Sequence, residues 1–91
     1  MAHTIYQAMW YENDEYDQWM EMENFGTLDE AKVAAFKNAS RHGTHLYCEV
    51  DTKVLTKYGY TTVVTLVNHH DFGNHWSGWI TREKYDAVYS A

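Results

Sequence analysis

Apolar and polar residues alternate with period two along most of this chain, and the period changes to that of a helix once. His3 to Tyr11 (HTIYQAMWY) is rich in β-branched and aromatic residues and predicts a strand, with Ile5, Gln7 and Met9 on one face and Tyr6, Ala8 and Trp10 on the other. Glu12-Asn13-Asp14-Glu15 is a polar turn. Tyr16 to Asn24 then alternates again, with Tyr16, Gln18, Met20 and Met22 pointing one way and Asp17, Trp19, Glu21 and Glu23 the other. The two runs predict a hairpin whose second strand has a Met-rich inner face and an acidic outer face.

Thr27-Leu28-Asp29-Glu30 has the pattern of a capping box, in which the Thr27 hydroxyl accepts from the Glu30 amide while Glu30 reaches back to the Thr27 amide. Leu28, Ala31, Ala35, Phe36 and Ala39 follow at helical spacing and define one buried face, ending at Arg41, His42 and Gly43. Asp29 and Glu30 in the first turn and Lys37 and Arg41 near the last suit the helix dipole.

From Thr44 the period returns to two. Leu46, Cys48 and Val50 alternate with His45, Tyr47 and Glu49 in a third strand reaching toward Lys57. Lys57-Tyr58-Gly59-Tyr60 supplies a turn, and Tyr60 to Val67 (YTTVVTLV) has strong strand propensity. Asn68 to Gly78 is predicted as a loop, Trp79-Ile80 as a short strand, and Thr81 as the cap of a final helix to about Tyr89, lined by Tyr85, Val88 and Tyr89. The expected fold is α+β: an antiparallel sheet of about four strands in ββαββ order, packed on one amphipathic helix, with a short C-terminal helix.

Composition narrows the picture. A chain of 91 residues forms one domain, 1–91, with a modest core, and its 45% apolar and 16% aromatic content argues against a disordered acidic tail. Cys48 is the single cysteine, which excludes an intrachain disulfide and points to a reducing compartment, so the expected location is cytoplasmic. No apolar run approaches the roughly 20 residues of a membrane helix.

Charge changes it further. Residues 1–31 hold eight acids and no Lys or Arg, a balance of −8, whereas residues 32–91 hold seven bases and five acids, a balance of +2. Six of the carboxylates lie in YENDEYDQWMEME, Tyr11 to Glu23. Like charges on one strand face repel, and mixed signs would protect an edge at lower energy. Alternate strand residues are about 6.6 Å apart, so such a face presents a row of negative charge spaced not unlike successive phosphates. Glu12, Asp14, Glu15, Asp17, Trp19, Glu21 and Glu23 are therefore the candidate partner-binding residues, with Trp10 and Trp19 as possible aromatic anchors.

Other chemistry has weaker support. His69, His70, Asp71 and His75 concentrate imidazole and carboxylate in seven residues, a set suited to zinc, nickel or iron. Adjacent histidines on a strand point to opposite faces, however, and neither HExxH nor paired CxxC is present. A nuclease of the ββα-metal type would need a ligand-bearing helix after Asn68-His69-His70, where a Gly-containing loop and two tryptophans stand instead. Cys48 with His42 or His45 would make a nucleophile and base, but its alternation with Leu46 and Val50 predicts a buried, inert thiol. Direct nucleic-acid binding is disfavoured because the most polarised surface would repel phosphate.

The acidic hairpin followed by FGTLDEAKVAAFKNA (Phe25–Ala39), in a small disulfide-free chain, resembles small phage-encoded inhibitors: anti-CRISPR and anti-restriction proteins and the RNA-polymerase inhibitors of podophages. The resemblance spans the first 50 or so residues as architecture and carries over no functional residue. It implies a class, stoichiometric inhibitors that occlude the nucleic-acid site of a host or defence complex. The expectation is thus a non-enzymatic, cofactor-free inhibitor that docks its acidic hairpin into a basic nucleic-acid-binding surface in a host cytoplasm. The alternatives are a metal-binding protein using residues 69–75, or an assembly component that dimerises through an exposed strand.

Overall fold

A computed structural model of the protein describes residues 3–13, 15–42, 47–70 and 76–89. Its elements are β1 (Thr4–Asn13), β2 (Gln18–Phe25), α1 (Leu28–His42), β3 (Tyr47–Thr56), β4 (Gly59–His69), β5 (Ile80–Thr81) and α2 (Arg82–Tyr89). The strands form one sheet in the order β2-β1-β3-β4-β5, and each neighbouring pair is antiparallel. The fold is α+β as expected, with five strands in place of about four. Among the described residues no helix is long and apolar enough to cross a membrane.

Local chemistry accounts for the boundaries. Thr27 caps α1 by accepting from the Glu30 amide at 3.2 Å, and its hydroxyl donates to the Glu30 carboxylate at 2.8 Å. The box closes on the hydroxyl of Thr27 and not on its amide. Thr81 caps α2 by accepting from the Lys84 amide at 3.3 Å. Between β3 and β4 the chain reverses at Lys57 and Tyr58, where Gly59 takes φ 107° and Thr56 hydrogen-bonds both the Tyr58 amide and the Gly59 carbonyl. The predicted loop from Asn68 starts too early. Cys48 pairs with Asn68 and Tyr47 with His69, so β4 runs two residues further, and Asn68 is buried.

The core lies between α1 and one face of the sheet. Ala31, Ala35 and Ala39 pack on Ala8, Trp10, Cys48 and Val50, with Tyr6, Phe25, Leu28, Trp76 and Trp79 around the margin. Small side chains on both surfaces let the helix approach closely, and a fully buried valine such as Val50 contributes on the order of 1.5–3 kcal/mol. Phe36, expected in the buried stripe, sits at the rim with its ring 4.8 Å from that of Trp76.

Register decides which side of β2 faces where. Directly opposed residues of an antiparallel pair share a face. Tyr6 opposes Phe25, Ala8 opposes Glu23, Trp10 opposes Glu21 and Glu12 opposes Trp19, so the acidic residues lie on the side of the sheet that carries α1. Met9 opposes Met22 and Tyr11 opposes Met20, which puts these methionines on the side away from α1, where Met9 of β1 is buried while Met20 and Met22 of the edge strand are exposed. The expected Met-rich inner face is therefore outward, and Met22 is 55% exposed. The reason is width. A helix about 10 Å across covers roughly two strands spaced about 4.8 Å apart, and α1 rests on β1 and β3, leaving the edge strand β2 largely beyond it.

Candidate functional site

The acidic hairpin is an exposed sheet edge with an internal order. Trp10 Nε1 donates to Glu12 Oε1 at 2.8 Å, and Trp19 Nε1 donates to Glu21 Oε1 at 2.7 Å. Because Trp10 stands opposite Glu21 and Glu12 opposite Trp19, the two pairs lie side by side and run in opposite directions, each indole holding the glutamate two residues on along its own strand. Charge-assisted bonds of this kind are stronger than neutral ones. Asp17 precedes β2 and accepts from the Gln18 amide at 2.8 Å. Glu15 and Glu23 are exposed, and Asp14 lies outside the described residues.

The two tryptophans differ in availability. Trp19 is partly exposed, whereas Trp10 retains 6% of its surface and belongs to the core beneath α1. Trp10 is thus a core residue and not a surface anchor. Period-two patterning could not separate the two because both alternate correctly; the difference arises from strand position, central for β1 and peripheral for β2.

The fold adds two acids that the sequence assigns to the capping box and the helix dipole. Asp29 and Glu30, in the first turn of α1, meet Glu23 around a groove of about 620 Å³ between β2 and α1, whose apolar lining is Phe25, Val33 and Ala34. Lys37 and Asn38 close its other end. The signal for this site was the long acidic, base-free stretch that runs past the hairpin as far as Ala31. The surface that results can receive a positively charged, partly apolar segment.

No protein-family model, curated protein or solved structure matches the chain.

On the face away from α1, Arg82 meets residues 33 and 35 positions away. Arg82, at the start of α2, donates to both the Tyr47 hydroxyl and the Glu49 carboxylate, and Tyr47 donates to Glu49 at 2.7 Å. Tyr85 and His69 pack edge-on against Tyr47 and against each other. With Tyr11 and Met20 they line a cavity of about 430 Å³. Burial pushes the Tyr47 phenol above its ordinary range, and its hydrogen bond to Glu49 pushes it further. Burial also raises the Glu49 carboxyl, the neighbouring Asp51 adds to the rise, and Tyr47 and Arg82 oppose it. Partial burial alone would lower Arg82, but Tyr47 and Glu49 hold it above its ordinary value. A phenol kept protonated beside an engaged guanidinium is a poor nucleophile or base and a good latch for α2. Tyr85 of α2 packs into it as expected, whereas Val88 is 62% exposed.

The remaining candidates separate in space. His69 faces Tyr47 and Tyr85, and His70 lies against Trp76 with ring centroids 5.4 Å apart, so the adjacent histidines diverge. Asp71 and His75 lie outside the described residues, and among those described no group of three or more His, Cys, Asp or Glu could hold a metal ion. Cys48 is fully buried, and burial pushes its thiol up to about 12. It is protonated at neutral pH. His45 and the side chain of His42 lie outside what is described.

Proposed function

We propose that the protein is a non-enzymatic binding protein that docks its acidic hairpin into a basic, nucleic-acid-binding surface of a host or defence complex and occludes it. The single observation that carries this reading is the convergence of Glu23 on β2 with Asp29 and Glu30 of α1 around an apolar groove, with Glu21 on the same face of the exposed edge strand. Glu12 and Trp19 lie on the same face, and Asp14, Glu15 and Asp17 adjoin it in sequence. Like charges gathered on one face repel, and a basic partner relieves that repulsion while the groove accepts an apolar side chain. Resemblance to small phage-encoded inhibitors points to the same class of partner, in a host cytoplasm.

The test is retention of host-lysate proteins on the immobilised protein, with and without Glu21→Lys and Glu23→Lys together. Basic nucleic-acid-binding proteins should be retained by the unaltered protein, released by salt and by added nucleic acid, and lost from the double variant while its circular dichroism is unchanged. Equal retention by a folded double variant overturns the proposal.

A further inference from the structure

Among the described residues β2 is the outermost strand on its side of the sheet, paired with β1 alone. The pairing runs without a register shift from Asn13 opposite Gln18 to Tyr6 opposite Phe25, and Gln18 to Asn24 are exposed at every position. About half of the main-chain N–H and C=O groups of such a strand point away from its neighbour and have no strand to bond. Edges are commonly closed by Pro, Lys or a bulge. β2 carries no Pro and no Lys, its register shows no bulge, and its only charges are Glu21 and Glu23. Carboxylates repel a strand that carries carboxylates, a second copy of this one included, and attract a strand that carries bases.

The two faces of the edge call for different side chains. Toward α1 stand Trp19, Glu21 and Glu23, with Asp29 and Glu30 beside Glu23 at the groove. Glu21 engages the Trp19 indole through Oε1, and a carboxylate has a second oxygen to offer a guanidinium or ammonium. On the face away from α1 stand Met20 and Met22, both exposed. Successive side chains of a strand point to opposite faces, so one extended segment satisfies both sides when bases alternate with apolar residues. We infer that β2 receives such a segment of the basic partner, with Lys or Arg at every second position and apolar residues between, as a sixth strand of the sheet. The bases oppose the glutamates, and the apolar side chains lie on the methionines. Strand addition rests on the reading of the hairpin as the docking surface and fixes the order of side chains that the surface accepts. A patch held by charge alone takes bases in any order, whereas an edge strand takes them at period two.

Calorimetric titration of the unaltered protein with a capped heptapeptide of alternating Lys and Val tests it. Two comparison peptides keep the charge: one of the same composition with all Lys first and all Val last, and the alternating peptide with every amide nitrogen methylated, which has no N–H to donate. The alternating peptide should bind about tenfold or more tightly than either, and should slow amide exchange in β2 while leaving α2 unchanged. Glu21→Lys with Glu23→Lys should abolish its binding. No binding of the alternating peptide, equal binding of all three peptides, or undiminished binding to the folded double variant overturns strand addition. Equal binding of all three, with retention of lysate proteins still lost from the double variant, leaves acidic docking standing without a strand. Period-two binding of the peptide with lysate retention unaltered in the double variant overturns the docking reading instead.

Discussion

The two faces of the sheet are held by different physics. On the α1 side, Ala8, Cys48 and Val50 meet Ala31, Ala35 and Ala39, and the contact depends on close approach of small apolar groups. On the other side, α2 is tied down by Arg82, Tyr47 and Glu49 with Tyr85 and His69 packed around them. A hydrophobic seam tolerates no lost volume but is indifferent to pH. A polar latch contributes less and carries a titration signature.

The sharpest way to break the comparison is at the seam. Trp10→Ala removes the largest side chain of the core and should destabilise by roughly 3–5 kcal/mol, seen as a large drop in the midpoint of urea unfolding. A loss under about 1 kcal/mol would place the core elsewhere. Arg82→Ala should cost less, about 1–2 kcal/mol, because the guanidinium is 40% exposed and its pair is only partly desolvated. Its mark should be local, with faster amide exchange in α2 than in α1.

The smallest effect concerns pH and separates the faces by sign. The Glu49 carboxyl is raised on folding, so the folded state holds its proton more tightly than the unfolded one. This contribution is fully present below the ordinary carboxylate range and declines as pH rises through that range to the folded value. Urea unfolding of the unaltered protein and of Glu49→Gln across this interval should show the difference in stability, unaltered minus variant, falling with rising pH. A difference that grows would mean that Arg82 dominates and lowers Glu49.

Much of this arrangement was legible in the sequence. The hairpins, the helix cap at Thr27 and the cap at Thr81 all follow from local rules, because each depends on residues within a few positions of one another. The choice of face did not follow. Alternation divides Met20 and Met22 from Glu21 and Glu23 without saying which side the helix covers, and that choice rests on small residues in β1 and β3, strands that become neighbours only in the folded sheet. For the same reason Trp10 and Trp19 looked alike, and Asp29 and Glu30 could not be joined to Glu23. The Arg82 latch was equally hidden, since the β4–β5 register sets where α2 begins.

The paired tryptophans and glutamates of the hairpin have a bearing on entropy. A glutamate on a strand ordinarily samples many rotamers, and fixing each such side chain on association costs about 0.5–1.5 kcal/mol. Glu12 and Glu21 are already anchored by indole N–H groups, so their carboxylates point in set directions before any encounter. Two of the hairpin's charges are thus preorganised, and the freedom a binding event would otherwise have to remove from them was given up when the hairpin folded.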